Sequence, residues 1–190
     1  MRGYTGRTPV PPAGVCVVDT IVIRETASAD LPAILGIINR EILEGSAHFG
    51  LVAMTADELQ AEWTQTRDRY AWFSAIDADR VVGYARGGPW KARGAYAWAC
   101  ETGIYVAPGH QGRGIGRRLY DVLFPELRRK GFRTVIAGIT LPNEASVRLH
   151  ESMGMTRVGV FEAVGYKNGA WRHVGYWSLH WDADQPPARR

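Results

Sequence analysis

Residues 104–120, IYVAPGHQGRGIGRRLY, constrain this chain more than any other stretch. A β-branched and aromatic run ends at Val106. Glycines follow at 109, 112, 114 and 116, and an amphipathic segment begins at once. A strand that turns tightly into a helix satisfies this pattern, so the chain must build a sheet with a helix packed on it. Glycine lets the turn's backbone approach a ligand closely. A helix N-terminus adds unpaired N–H groups and partial positive charge. Arg113 and Arg117 stand beside it. In physical terms this is a cradle for a pyrophosphate.

Two common cradles do not fit. Gly109 to Gly114 has the glycine spacing of a Walker A loop, but Ile115 stands where that loop needs lysine. A dinucleotide fingerprint reads G-x-G-x-x-G after the first strand of a βαβ unit. Here the glycines run G-x-G-x-G in the middle of the chain. Gln111 to Gly116 instead fits Q/R-x-x-G-x-G/A.

The flanking sequence supplies the other elements. TIVIRE (20–25) reads as a first strand. In the next segment Ser28 or Asp30 is placed to cap a helix, with Pro32 in its first turn and Gly45 closing it. Ile34, Ile37, Ile38, Glu41 and Ile42 form a largely apolar stripe at helical spacing. Thr55 and Glu58 form a capping box for a second helix. AWFSAI and VVGYARGGPW read as a hairpin turning at 77–80, and AYAWACETGIYV as another strand. Ile115, Leu119, Leu123 and Leu127 share one helix face, with Pro125 expected to kink or break that helix. RTVIAGIT is a buried strand, and NEASVRLHESMG a short helix ending at Gly154. Two strands joined at KNG close the domain. The order is β-α-α-β-β-β-α-β-α-β-β, a mixed sheet in an α/β or α+β domain.

Length and composition narrow the class. The 190 residues suit one domain. The net charge of +4 has no dominating Lys/Arg block, so nucleic acid is not an expected partner. Cys16 and Cys100 form no metal or disulfide pattern, which fits a reducing compartment. No apolar run approaches a membrane span, and the first residues lack a signal-peptide core before Asp19. A cytoplasmic protein without membrane partners is expected. Residues 1–19 read as a flexible arm, 20–181 as the folded domain and 182–190 as a disordered tail.

The glycine loop resembles the signature of the GNAT superfamily of acetyl-CoA-dependent N-acetyltransferases. GPWKARGAYAW, ETGIYV, PNEASVRLHESMG and VGYKNGAWRHVGYW resemble its phosphinothricin and methionine-sulfoximine acetyltransferase branch, over roughly residues 21–180. The resemblance implies a mostly antiparallel seven-stranded sheet with about four helices. It implies that acetyl-CoA is held by Ile104, Tyr105 and Val106, by Gln111, Gly112, Arg113, Gly114, Ile115, Gly116 and Arg117, and by Asn143 and Ser146. Strands four and five are expected to splay near Val106, whose N–H would polarise the thioester carbonyl. It also implies a homodimer.

The chemistry needs a base for the acceptor ammonium, a donor for the developing oxyanion and an acid for the leaving thiolate. Glu101, on the strand entering the cradle, corresponds to the branch's catalytic glutamate. His150 occupies the region where related enzymes place an acid, and an imidazole serves as acid or base; both roles stay open. HESMG is not H-E-x-x-H, and His48, His110, His173 and His180 lack ligand spacing, so no metal is expected. Asn143 reads as an N-cap and a cofactor contact.

The implied substrate is a small amino-acid-like amine of the phosphinothricin or methionine sulfoximine/sulfone type, hence herbicide resistance. Lys91 and Arg93 are candidates to bind its anionic end, with Tyr96 and Tyr105 shaping the pocket and Phe49 facing the substrate. His48 departs from the branch, which has smaller or β-branched residues there. Cys100, beside Glu101, is the cysteine to watch for a covalent acyl-enzyme, although direct attack is expected. Two alternatives remain: another amine acceptor (a polyamine, an antibiotic or a protein N-terminus), or a non-catalytic acyl-CoA-binding module.

Overall fold

The computed structural model describes residues 21–181. The expected arm at 1–19 and tail at 182–190 lie outside the described residues. In chain order the elements are β1 (Val22–Glu25), α1 (Leu31–Leu43), α2 (Ala56–Tyr70), β2 (Trp72–Asp77), β3 (Arg80–Pro89), β4 (Ala99–Val106), α3 (Ile115–Arg129), β5 (Thr134–Leu141), α4 (Glu144–Ser152), β6 (Thr156–Lys167) and β7 (Ala170–His180). This is the order expected from the sequence.

The strands form one seven-stranded sheet in the order β1-β2-β3-β4-β5-β7-β6. Only β4 and β5 run parallel, because α3 carries the chain from one to the other. Helices cover both faces. Ile34, Ile38 and Ile42 of α1 pack with Leu59 and Trp63 of α2 over Trp72 and Tyr84. On the other face Leu119, Leu123 and Leu127 of α3 sink among Phe73, Val135, Ala137 and Trp177.

Local chemistry accounts for most boundaries. Thr55 Oγ1 accepts the Glu58 N–H at 3.2 Å, and the Glu58 carboxylate accepts the Thr55 N–H at 2.8 Å, so the capping box forms. The β2–β3 turn passes through Ala78 and Asp79 at φ +45° and +64°, and the β6–β7 turn through Asn168 and Gly169 at +53° and +73°. Both match the positive-φ pairs that tight hairpins require.

Three expectations change. Neither Ser28 nor Asp30 caps α1 with its side chain. Residues 28–30 form a single 3-10 turn, and the Asp30 carboxylate instead takes a two-pronged pair from Arg24 at 2.6 and 2.7 Å and the Ala27 N–H at 2.8 Å. Burial of Asp30 makes that charge partner the stronger claim on it. Pro125 does not break α3, which runs unbroken from Ile115 to Arg129. Proline and Asp121, whose carbonyl loses its donor, are both exposed, so water can take the bond, while Leu123, Phe124 and Leu127 anchor the opposite face. The fourth strand starts at Ala99 rather than Ala95, because Gly94–Tyr96 makes a 3-10 turn.

Candidate active site

The pairing of β4 decides where the cleft lies. β3 stays bonded to β4 from Cys100 to Val106. β5 pairs with it only at Ala99, Cys100 and Glu101. Beyond Glu101 the two parallel strands part, and the β5-facing edge of β4 is unpaired through Val106. Into this gap opens a cleft of about 1460 Å³, running from the glycine loop and the start of α3, past α4, to the loop after α1. Pockets for a single drug-sized ligand hold about 300–1,000 Å³, so this one has room for a larger molecule and a small one together.

The loop end is a cradle in geometry as well as in sequence. Gly109, Gly112 and Gly114 sit at φ +82°, +75° and +73°, with no neighbouring atom within contact range of the side chain each lacks. They are glycines for their backbone conformation, and they leave the turn's surface bare. Gly114 is the residue from which α3 departs. Gly116 has a different reason: a Cβ there would meet Leu149 of α4 at 2.8 Å, so it lets the two helices close together. Gln111, Gly112, Gly114, Ile115, Gly116 and Arg117 all line the cleft, as do Ile104, Tyr105 and Val106.

Arg113 does not line the cleft. Its guanidinium is drawn across to Asp77 at the end of β2, at 2.8 Å. Of the two loop arginines, Arg117 faces the cradle.

His150 is buried, 3% exposed, on the inner face of α4. Its Nδ1 lies 2.7 Å from the Ser146 carbonyl. A carbonyl only accepts, so Nδ1 carries the proton and Nε2 offers a lone pair. The Tyr120 hydroxyl, 2.9 Å from Nε2, therefore donates to it. Tyr120 is itself within reach of the Thr102 hydroxyl at 3.4 Å. Burial holds the His150 imidazole below its usual pKa, opposed by the bond to Ser146. Burial drives the Tyr120 phenol well up. Both groups are neutral at neutral pH, and both line the cleft. Asn143 accepts the Ser146 N–H at 3.1 Å and so caps α4, with both residues on the cleft wall.

Glu101 stands at the last paired position before β4 and β5 separate. Its Oε1 lies 3.4 Å from where a Cβ on Gly138 of β5 would be, beside the Tyr176 ring. No donor among the described residues bonds this carboxylate. Burial raises its pKa above the ordinary carboxylate range, and the charges of Arg86 and Lys91 offset part of that rise.

Past Glu101 the cleft widens beneath the loop after α1. Lys167, 3% exposed at the end of β6, fastens that loop by donating to the carbonyls of Glu41 and His48. The Glu41 carboxylate accepts the Ala47 N–H at 2.6 Å, which explains a glutamate in the stripe of α1. His48 Nδ1 accepts the Gly50 N–H at 2.9 Å. Its pKa is lowered by burial and by the charges of Lys167 and Arg86. Phe49 leans on Gly165 of β6, where a Cβ would sit 2.2 Å from its ring. His48 and Phe49 both line the cleft, facing Val164, Val174 and Tyr176.

Lys91, Arg93 and Tyr96 do not line it. All three are exposed in the loop between β3 and β4. Lys91 lies over the Trp90 ring at 4.7 Å, and Trp90 meets Tyr176 edge-on at 5.5 Å. Sequence reasoning instead missed Tyr120, Thr102, Arg86 and Glu62 on the cleft wall. A hydroxyl inside the apolar stripe of α3 and a lone charge inside a buried strand were the available signals. Among the described residues no three His, Cys, Asp or Glu side chains converge as metal ligands.

The model of the acetyltransferase (GNAT) family matches residues 40–155. The chain belongs to that family. It is 40% identical over 167 residues to a phosphinothricin N-acetyltransferase of Streptomyces viridochromogenes, covering 88% of this chain and 91% of that one. It is 33% identical to an L-methionine sulfoximine/L-methionine sulfone acetyltransferase of Salmonella typhimurium, covering 88% and 98%. Its fold superposes with a TM-score of 0.86 on an acetyltransferase from Salmonella typhimurium solved with its cofactor acetyl-CoA, at 33% identity over 90% of this chain and 99% of that one. A phosphinothricin acetyltransferase from Sinorhizobium meliloti in complex with acetyl-CoA gives 0.82 at 29% identity, covering 85% and 88%. The split between the two parallel strands and the glycine turn lie on one continuous wall of the cleft, and the residues present fit an acyl-CoA.

Proposed function

We propose that this GNAT protein transfers the acetyl group of acetyl-CoA to the amine of a small amino-acid-like acceptor of the phosphinothricin or methionine sulfoximine/sulfone type. The observation that carries this reading is Glu101, a half-buried carboxylate without a hydrogen-bond donor, set where β4 and β5 part and between the cradle and the Phe49 pocket. A binding module needs no such group.

Acetyl-CoA supplies an activated thioester. The bare turn from Gly109 to Gly114 and the N-terminus of α3 receive its phosphates, with Arg117 alongside. The unpaired edge of β4 up to Val106 orients its arm, and the Val106 N–H faces the carbonyl. Glu101 accepts the proton of the acceptor ammonium; its raised pKa makes it a better base than a solvated carboxylate. His150 is held in one tautomer by Ser146, with its only free lone pair taken by Tyr120. The departing sulfur takes its proton from the Tyr120 hydroxyl, which turns from His150 Nε2 to the sulfur as the C–S bond breaks; solvent then reprotonates the phenoxide while Glu101 releases the proton it took from the amine. On this reading His150 supports a phenol and is itself neither the acid nor the base.

Cys100 takes no part. It is fully buried, and burial pushes its thiol up to about 12, so no thiolate forms at neutral pH. Direct attack follows. No helix among the described residues is long and apolar enough to cross a membrane; a cytoplasmic location belongs to this proposal. So does a homodimer: the outer strand β6 exposes Val158, Phe161 and Tyr166, with Trp171 of β7 beside them, a surface that a second copy would cover.

The deciding experiment is thiol release from acetyl-CoA with phosphinothricin, methionine sulfoximine, methionine sulfone and a panel of polyamines, aminoglycosides and peptides. Turnover concentrated in the first three is expected. Turnover confined to the panel would favour another acceptor, and none at all would favour an acyl-CoA-binding module.

A further inference from the structure

Four arginines line the cleft: Arg40, Arg86, Arg117 and Arg148. Arg117 and Arg148 stand on α3 and α4, the side that receives acetyl-CoA. The Arg40 side chain is 57% exposed, against 22% for Arg86. Among the described residues Arg86 is thus the sheltered cation that lines the acceptor end; Lys167 lies outside the lining and donates to the Glu41 and His48 carbonyls, and neither Lys91 nor Arg93 lines the cleft.

Sheet register sets Arg86 against Glu101. Arg86 of β3 pairs with Gly103 of β4, and Gly88 of β3 pairs with Glu101. Directly paired residues share a face of the sheet. The four positions form a square with the two charged side chains on one diagonal and two glycines on the other. Such diagonal neighbours are about 7–8 Å apart at their Cα atoms, and the glycines leave the floor between them bare. The guanidinium lies across this floor: its Nη1 is 2.9 Å from where a Cβ on Gly88 would sit. Any larger residue at 88 would displace it.

The guanidinium is also held in place. Its Nη2 binds the Glu62 carboxylate of α2 at 2.7 Å, and its plane lies 5.0 Å from the Trp72 ring centroid. Glu62 is its one ion-pair partner among the described residues. Its Nε is buried with no hydrogen-bond partner, and no group among the described residues bonds Nη1. Arginine has five donors in a planar fork suited to a carboxylate. Glu62 occupies one edge of that fork and leaves the edge above Gly88 facing the floor and Glu101.

An α-amino acid carries its ammonium and its carboxylate on one carbon. A site that grips both needs a carboxylate and a cation a few ångströms apart over a surface with no side chain in the way. We infer that Arg86 receives the α-carboxylate of the acceptor while Glu101 faces its amine, the glycines 88 and 103 providing the floor between. This assignment rests on the acceptor class proposed above and makes Arg86 a specificity-determining residue. It selects amino acids over amines that lack a carboxylate, such as polyamines. The acceptor's side chain is then left to the pocket of Phe49, Val164 and Tyr176.

Methionine sulfone and its α-carboxamide separate the contributions, because the sulfone side chain is uncharged and the carboxylate is its only anion. Thiol release is measured with both acceptors for the wild type, Arg86→Gln and Arg86→Lys, alongside acetyl-CoA affinity as a check on folding. The wild type is expected to prefer the acid. Measured on the alkaline plateau, where Glu101 is ionised with or without the Arg86 charge, Arg86→Gln should raise KM for the acid at least tenfold, with kcat within threefold and KM for the amide within twofold. Arg86→Lys should recover part of the loss, keeping charge without the fork. Equal KM increases for acid and amide, or no increase for either, would overturn the assignment and leave acetyl transfer intact. So would a wild type that uses both acceptors equally well. Absence of wild-type turnover with any amine, while acetyl-CoA still binds, would remove the proposed function and this inference with it.

Discussion

The hydroxyl of Tyr120 lies 2.9 Å from Nε2 of His150, and both side chains are buried. The pair joins α3 to α4 across the cleft wall. Because Nδ1 is committed to the Ser146 carbonyl, the histidine has one face left, and the phenol occupies it. A residue singled out from the sequence as a candidate acid or base is better understood as one half of a hydrogen-bonded couple.

Tyr120→Phe keeps the ring and removes the donor. We expect kcat to fall about a hundredfold, the low end of what a positioned proton-transfer group contributes, with acetyl-CoA affinity within threefold of wild type. Steady-state kinetics with varied acetyl-CoA reads both. An unchanged kcat would reduce the couple to packing.

The pH dependence of the rate should follow Glu101. The group must be ionised to take a proton, so kcat/KM declines as pH falls through its pKa. Burial raises that pKa, and the positive charges of Arg86 and Lys91 pull it back. Lys91 is exposed and outside the cleft lining. Lys91→Met removes one cation, so the pKa rises and the acid limb moves to higher pH while the plateau rate holds. An acid limb that does not move would separate Glu101 from the rate-limiting protonation.

Two glycines should fail in opposite halves of the reaction. Gly114→Ala meets open space but places a Cβ at φ +73°, a conformation that costs about 1–2 kcal/mol. Acetyl-CoA should bind about 5–30-fold more weakly, with acceptor KM unaffected. Gly165→Ala would bring a Cβ to 2.2 Å from the Phe49 ring and push it aside. Acceptor KM should then rise several-fold at constant acetyl-CoA affinity. Calorimetric titration of acetyl-CoA with both variants, beside acceptor kinetics, tests the division. The same loss in both variants would contradict it.

Much of this architecture could be read in advance because its determinants are local. The positive-φ glycines of the loop, the Thr55–Glu58 box and the apolar stripes of α1 and α3 act within a few residues of chain. Backbone sterics and helical periodicity translate them directly into a strand, a tight turn and a helix, and so into a cradle. Glu101 stood out by its place on the strand entering that cradle, and His150 by the resemblance to enzymes that place an acid in that region. Which residues meet across the sheet and between helices was decided by the tertiary structure. Arg113 looked equivalent to Arg117 until the β2–β3 turn brought Asp77 beside it. Tyr120 and His150 are 30 residues apart, and only the packing of α4 against α3 joins them. Arg86 became a neighbour of Glu101 through the register of β3 on β4, where a slip of one residue would have put them on opposite faces. Local sequence determines the elements because dihedral preference and side-chain period are properties of short segments. Register, strand order and helix packing decide the partners, because they minimise the free energy of the whole chain at once.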